Sequence, residues 1–347
     1  MKIYRHAIKK LEDQKGVVAV IVGIMIVLLL SLVAFAVDIG YALVVRNELH
    51  NIADAAALAG ARKLGANYET MTYLEQIGYT CDSGRALVTP VIQEVAGMNR
   101  AGGIPITINS SDIEIGQWNS ATKAFTANLN PPTAVSAKAR RDSSANSPIT
   151  TFFARVFGID SVNVSAKSIA GLSSASSSNQ LKIPFAITED WFTTHDPYTT
   201  TIDIGGGSGT DWFYLEGMQP NQPNLLDMIN GTTPIPELKE GDTVRLNPGT
   251  KGDKAYEALV ARFDVMRLIN DPAQGDSDGD PSTWTMTAVI TDDSGKIVGF
   301  ATITIKSVTG PPANLISVQV DRTGFTEGRG GGGSIGPTMG TIPGLFQ

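Results

Sequence analysis

The chain has 347 residues, a formal net charge of −7 and one cysteine, Cys81. An acidic chain repels phosphate backbones, so we expect no nucleic acid partner. A lone cysteine forms no internal disulfide, so stability must come from packed apolar cores, and the chain is long enough for two domains.

A long apolar run lies near the N-terminus. The basic leader, residues 1–16, carries five lysine and arginine residues, and the 21 residues from Val17 to Val37 carry no charge. As a helix rising about 1.5 Å per residue, this run spans roughly 30 Å, the thickness of a bilayer's hydrocarbon core. The next twenty residues contain one cation, Arg46. The positive-inside rule therefore predicts a single-pass protein of the plasma (inner) membrane, with a cytoplasmic N-terminus and periplasmic or extracellular domains.

An alternative for the same run is a cleaved secretory signal. Ala34-Phe35-Ala36 has the small-x-small form of a cleavage site. The apolar stretch before Ala34 has roughly 17 residues, whereas signal peptides usually have about 7 to 15. This length favours a retained anchor, and both alternatives place the bulk of the chain outside the cytoplasm.

The segment from Asp38 to Leu64 is predicted to continue the helix as a stalk. It contains no proline and is rich in alanine. Small or apolar residues recur at alternating spacings of three and four, which places them on one stripe of a helix. The stripe consists of Ala42, Val45, Leu49, Ile52, Ala56 and Ala59. Alanine lets another backbone approach closely, so the stripe contacts either a helix of another subunit or the protein's own domain.

A short motif spans the start of this stalk. An aspartate directly follows the apolar run, then come an Arg-x-x-Leu pair and an Asp-Ala-Ala-Ala-Leu block; the residues are Asp38, Arg46, Leu49, Asp54, Ala55, Ala56, Ala57 and Leu58. Residues 16–62 thereby resemble the N-terminal module of the Tad/Flp pilus-assembly proteins, the TadG-like and TadE-like group. The resemblance continues more loosely to about Leu172.

The resemblance implies a structural role in a bacterial pilus machine. The implied partners are the membrane and other Tad pilus-assembly proteins or pilin, with no small-molecule substrate and no enzymatic activity. Processed prepilin-like relatives carry a glutamate at the fifth position after the cleaved glycine, whereas here Ile21 stands at that distance from Gly16. This difference favours the TadG-like branch.

Residues 65–172 are predicted to form an α+β domain. A helix is expected over Asp82–Gly97, and Ser147-Pro148 has the cap and first position of a second, short helix over Ile149–Phe157. Several segments between and after them alternate apolar with polar residues, which is typical of half-buried strands. We expect a mostly antiparallel sheet that the two helices cover on one face.

A second domain is predicted beyond a serine-rich hinge at residues 173–180. Residues 181–326 contain many short strand patterns separated by Gly and Pro turns, which is typical of a β-rich, sandwich-like unit. Residues 327–347 are expected to form a flexible tail, because they contain the sequence Gly-Arg-Gly-Gly-Gly-Gly-Ser from Gly328 onwards. The predicted fold class is therefore α+β, in which a transmembrane helix continues into a stalk helix, followed by an α+β domain and a β-rich domain.

Catalytic motifs are thinly represented. His195 is the only histidine beyond the stalk, and no Gly-x-Ser-x-Gly sequence presents a serine beside it. We therefore expect no enzyme and no catalytic residue. The competing hypothesis is a cell-envelope carbohydrate hydrolase, with paired carboxylates among Glu189, Asp190, Asp196 and Asp211.

One acidic loop has the composition of a metal site. Asp276, Asp278 and Asp280 alternate along it, and calcium prefers hard oxygen donors at such spacing. The position of Gly279 and the presence of Thr287 where a glutamate is needed both depart from an EF-hand loop. The sequence leaves two alternatives, a calcium site, as in a calcium-dependent surface adhesin, and a solvated acidic turn. No other cofactor is expected.

Overall fold

A computed structural model describes residues 2–119, 122–198, 200–204, 209–247, 251–269, 278–321, 324–331, 336 and 338–346. The helices are α1 (Lys2–Tyr68), α2 (Tyr73–Gly78), α3 (Cys81–Gly97), α4 (Glu189–Thr194), α5 (Gln222–Asn230) and α6 (Asp253–Met266). The strands are β1 (Arg100–Ala101), β2 (Ile104–Pro105), β3 (Ile113–Asn119), β4 (Ala124–Ala127), β5 (Ala134–Arg141), β6 (Ile149–Thr150), β7 (Ser161–Val162), β8 (Val164–Gly171), β9 (Ser177–Ser178), β10 (Leu181–Thr188), β11 (Ile202–Ile204), β12 (Thr210–Tyr214), β13 (Leu238–Lys239), β14 (Arg245–Asn247), β15 (Trp284–Thr291), β16 (Ile297–Thr309), β17 (Leu315–Val320), β18 (Gly324–Arg329), β19 (Thr338–Ile342) and β20 (Gly344–Phe346).

The chain divides into two compact units. The first contains Met1–Ala53, Ala96–Ile108 and Lys138–Lys167. The second contains Asp54–Val95, Asn109–Ala137 and Ser168–Gln347.

Helix α1 contains both the apolar run and the predicted stalk. Its 67 residues include no proline, so nothing in the sequence interrupts the backbone ladder. Side chains of the run are exposed on every side, including Val17 at 60% and Leu32 at 67%. The helix has the length and the composition needed to cross a bilayer.

The first unit surrounds the middle of α1 with short hairpins. Strands β1 and β2 pair antiparallel, as do β6 and β7. The structure differs from the predicted helix over Ile149–Phe157, because β6 occupies its start and a 3₁₀ turn, Ala154–Phe157, occupies its end.

A five-stranded sheet, most of whose residues belong to the second unit, has the order β20-β8-β5-β3-β4, and its described pairings are antiparallel. Glycines in helices α1 and α3 let these elements pack closely. A Cβ atom on Gly60 would lie 2.8 Å from Ile92 Cδ1 and 3.3 Å from Val135 Cγ1, and one on Gly84 would lie 2.7 Å from Ile115 Cδ1.

A seven-stranded sheet forms the core of the rest of this unit, in the order β11-β17-β16-β15-β10-β12-β14. Strands β10 and β15 are parallel and the other neighbours are antiparallel. Phe185 and Ile187 join a cluster with residues of α5 and α6, while Ala186 between them joins a cluster on the other face. Helices α5 and α6 therefore pack on the face of the sheet that a second sheet would cover in a sandwich. The predicted α+β class is confirmed.

The expected hinge and tail contain paired strands. Ser177 and Ser178 of β9 are buried and pair with β13, and the Ser178 hydroxyl lies 2.6 Å from the Thr326 hydroxyl. Strand β18 pairs with β19, and β20 pairs with β8. A Cβ atom on Gly328 would lie 2.0 Å from the Ser177 carbonyl oxygen, so this glycine permits close backbone contact. Residues 332–335, 337 and 347 of the tail lie outside the described residues.

Candidate functional site around Asp38

Asp38 connects α1 to a distant segment of the first unit. Its Oδ1 atom accepts a hydrogen bond from the backbone N–H of Phe152 at 2.8 Å. Its Oδ2 atom accepts from the N–H groups of Phe153, at 3.0 Å, and Ala154, at 2.6 Å. The side chain is thereby buried, although it directly follows the apolar run.

The three donors belong to the start of the 3₁₀ turn Ala154–Phe157. The first N–H groups of a helical turn have no partner within it, and the turn's own cap residue, Phe153, offers no side-chain acceptor. Asp38 supplies that acceptor from another element. Desolvation raises the pKa of Asp38, but the three backbone hydrogen bonds outweigh it and hold the pKa below the usual value of an aspartate.

Aromatic contacts flank this carboxylate on both sides. The ring of Phe157 stacks on Phe35, with centroids 5.3 Å apart. The ring of Phe152 meets Tyr41 edge-on at 5.6 Å. Phe35, Asp38 and Tyr41 are spaced by three residues, so they are neighbours along one side of α1. Three helix residues thus hold both ends of the turn.

The segment between β6 and β7 folds back on itself. The Thr151 backbone N–H donates to the Asp160 carbonyl oxygen at 3.1 Å, and its hydroxyl donates to that of Ile159. Residues 152–159, which we call the 152–159 loop, form the tip. Although held at its base, the loop is exposed at Phe152, Phe153, Val156, Phe157 and Ile159.

An apolar groove of about 420 Å³ lies between this hairpin and α1. Its lining is mostly aliphatic and aromatic, with Asp38 and Arg46 as its charged members. The lining residues are Phe35, Asp38, Ile39, Ala42, Leu43, Arg46, Thr151, Ala154, Ile159, Val162, Asn163 and Val164. Such a groove can receive an apolar side chain or an acyl chain, but it offers no arrangement for covalent chemistry.

Arg141 connects two other segments of the first unit, one around Gly102 and one around Asn146. Its guanidinium donates to the carbonyl oxygens of Ala101 at 3.3 Å and Asn146 at 3.2 Å, and the side chain is buried. The Gly102 N–H donates to Glu48 Oε2 at 2.7 Å. Gly102 has φ +60°, and a Cβ atom there would lie 2.5 Å from the Arg141 guanidinium, so glycine is required.

The predicted stripe lies mainly inside the folded chain. Val45, Leu49, Ile52 and Ala56 are buried, while Ala42 and Ala59 are half-buried. The chain's own residues therefore cover much of the stripe. Contact between the stripe and a helix of another subunit stays a prediction.

The motif residues divide by burial. Leu49, Ala56 and Ala57 are buried, whereas Arg46, Ala55 and Leu58 are exposed and Asp54 is half-buried. Asp38 is hydrogen-bonded to backbone groups that lie more than a hundred residues away along the chain. The motif thus contains two features. One is a helix face that packs inside the folded chain, and the other is a carboxylate that binds the 152–159 loop.

The acidic loop is described only in part, because Asp276 lies outside the described residues. Asp278 is buried; its Oδ2 accepts from the Thr283 hydroxyl at 2.6 Å and its Oδ1 from the Asp280 N–H at 2.8 Å. Within the described ranges, no three His, Cys, Asp or Glu side chains are placed to hold a metal ion. Calcium binding stays a prediction.

The groups considered for catalysis are distributed over α4, its C-terminal end and β12. Glu189 and Asp190 occupy the first turn of α4, and Asp211 lies on β12. The His195 ring stacks on Trp191, with centroids 5.1 Å apart. Desolvation raises the pKa of Asp211, and Lys251 opposes that shift.

Sequence reasoning missed the 152–159 loop and its contacts. The predicted helix over this segment hid the exposed Phe-Phe and Val-Phe pairs. The sequence gives no signal against a helix here, because Phe152, Phe153, Val156 and Phe157 have the spacing of one helix face.

Two models of known families match the N-terminal part of the chain. The model of Flp pilus-assembly, TadE/G-like proteins matches residues 16–63, and the model of Tad-like Flp pilus-assembly proteins matches residues 50–170. Together they contain α1 beyond the leader, Asp38 and the 152–159 loop. No curated protein and no solved structure matches the chain. Residues 16–170 of the chain therefore contain domains of the Tad-type Flp pilus-assembly family.

Proposed function

We propose that the protein is a membrane-anchored structural component of a Tad/Flp pilus assembly and secretion machine. Residues 17–37 span the plasma membrane, the leader is cytoplasmic, and the chain beyond residue 37 acts outside the plasma membrane through contacts with other pilus proteins. The protein supplies surfaces and a fixed position, with no chemical step of its own.

One observation carries the proposal. The uncharged run lies in the same unbroken helix as the family module, and its side chains are exposed all round, with Leu30 at 64% and Val33 at 61%. Exposing such a surface to water is unfavourable by roughly 25 cal/mol per Å² of apolar area, so a bilayer is its natural surrounding. The basic leader supports the proposed orientation.

Cysteine accessibility in intact cells tests this topology. In a Cys81→Ala background, Met98→Cys should react with a membrane-impermeant maleimide once the outer layers are permeable, because Met98 is 72% exposed in the first unit. Lys9→Cys, in the leader, should react only after the plasma membrane is opened. The mature protein should have the mass of the full chain.

Two results would contradict the proposal. Reaction of Lys9→Cys in intact cells would show that the N-terminus lies outside the plasma membrane. A mature N-terminus near Val37 would show that the run is a cleaved signal.

A further inference from the structure

The 152–159 loop presents a cluster of apolar side chains on the surface of the first unit. The exposed fractions are 83% for Val156, 64% for Phe152 and 58% for Phe157. Single exposed apolar residues are common, whereas a contiguous group of large ones marks a surface that meets a protein or a membrane.

The loop lies where the apolar run ends. Phe157 stacks on Phe35, which precedes the end of the run at Val37 by two residues, or about 3 Å along the helix axis. Asp38 holds the opposite end of the same turn through three hydrogen bonds. The apolar surface of the loop is therefore continuous with the apolar surface of the run.

We propose that the 152–159 loop inserts into the interfacial region of the lipid bilayer, beside the point where α1 leaves the hydrocarbon core. The proposal rests on the membrane span proposed above. Phe152, Phe153, Val156 and Phe157 enter the boundary between headgroups and acyl chains, where aromatic rings are favoured. Arg155, 58% exposed at its side chain, lies among them and reaches anionic headgroups.

Lipid fits this surface better than a protein partner because of its position. Any molecule that covers Phe35 on the run also borders Phe157, since the two rings are in contact. Around a single membrane-spanning helix, that surrounding molecule is lipid. Asp38 fixes the loop in place before insertion, so insertion orders few additional residues.

Depth-dependent quenching of a fluorophore tests the proposal on the full chain. A single cysteine, Val156→Cys in a Cys81→Ala background, is labelled with an environment-sensitive fluorophore and reconstituted in bilayers of phosphatidylcholine and phosphatidylglycerol. Lipids brominated near the headgroup or near the bilayer centre are compared. We expect a blue-shifted emission and a loss of intensity that is larger with the shallow bromines.

Two matched positions make the result interpretable. Leu29→Cys, inside the run, should be quenched most by the deep bromines, and Met98→Cys, an exposed apolar residue of the same unit, should not be quenched. If Leu29 is quenched while Val156 emits as in water, the loop is not inserted and this inference is overturned, although the span stands. If Leu29 is not quenched either, the proposed membrane span itself fails.

A protein occupant gives a different pattern. In that case the Val156 fluorophore is unquenched in lipid alone and becomes shielded only when membranes contain the other pilus components. This pattern would overturn the assignment to lipid. Quenching at Val156 in lipid alone supports it.

Discussion

Asp38 is a residue whose position is visible in the sequence but whose contacts are not. Its position as the first charge after an apolar run is visible in the sequence and matches the family motif. Its partners are backbone N–H groups that lie 114 to 116 positions along the chain. Backbone donors leave no signature in a sequence, because every residue except proline carries one. The structure was needed to connect the motif with the 152–159 loop.

Asp38→Asn should loosen the 152–159 loop. An amide accepts through one oxygen and carries no charge, so it cannot replace a carboxylate that accepts three N–H bonds. Hydrogen exchange of residues 152–154, normalised to unfolded-peptide rates, should become faster by about tenfold or more at neutral pH. Asp160→Asn is the control, because its side chain is 79% exposed and pairs with Arg155 only at 3.7 Å. If residues 152–154 were equally protected from hydrogen exchange in both variants, Asp38 would not be the group that holds the loop.

The same contact predicts a pH dependence. The pKa of Asp38 is lowered in the folded protein, so its stabilising contribution is complete above the unfolded value of about 3.9 and is lost as the pH falls towards the lowered pKa. In the unmutated protein, protection of residues 152–154 should therefore decrease below about pH 4. Asp38→Asn should show no such step, and a step that persists in this variant would assign the titration to another group.

Asp278→Ala should lower the stability of the second unit even when a chelator removes calcium. The substitution removes the acceptor of the half-buried Thr283 hydroxyl and one of the two partners of the buried Thr285 hydroxyl, at a cost of about 1 to 3 kcal/mol. Asp280→Ala serves as the exposed control and should change the melting temperature less. The calcium prediction is tested in the same assay, where the ion should raise the melting temperature and Asp276→Ala should remove the rise.

At the scale of elements, long helices with a periodic sequence pattern were predictable, whereas short elements that depend on distant partners were not. Helices α1 and α3 follow from the sequence because proline-free or amphipathic runs of this length have few alternatives. The helix expected over residues 149–157 was wrong because β6 pairs with β7 and Asp38 takes the first N–H groups of the turn. The strands of the glycine-rich tail depend on distant partners, which local composition does not contain.

Gly65→Ala tests how closely α1 packs within the second unit. A Cβ atom there would lie 2.0 Å from the backbone carbonyl oxygen of Thr341, which cannot move away as a side chain can. We expect a loss of stability of roughly 1 to 3 kcal/mol or more, measured by denaturant unfolding. Gly40→Ala, in the same helix with nothing within 4 Å, should be neutral or stabilising by about 0.5 to 1 kcal/mol. If both variants changed the free energy of unfolding equally, helix propensity alone would account for the effect and close packing at Gly65 would not.

At the scale of the whole molecule, the family models and the seven-stranded sheet occupy different parts of the chain. The models end at residue 170, whereas the seven-stranded sheet begins at Leu181. The N-terminal module supplies the family identity, and the later part adds a large folded surface. Its core contains fully buried aromatic residues such as Trp284 and Phe185.

The last prediction concerns the role of this molecule in the cell. A component that supplies position and surfaces should be needed for pilus assembly, so deletion of its gene should reduce piliation. His195→Ala, Glu189→Ala, Asp190→Ala and Asp211→Ala should each restore piliation as well as the unmutated chain. Leu29→Asp should not restore it, because a carboxylate near the bilayer centre costs about 2.5 to 3.5 kcal/mol and opposes insertion. Loss of piliation from one of the four alanine variants, at normal protein level and fold, would shift the evidence towards an enzyme.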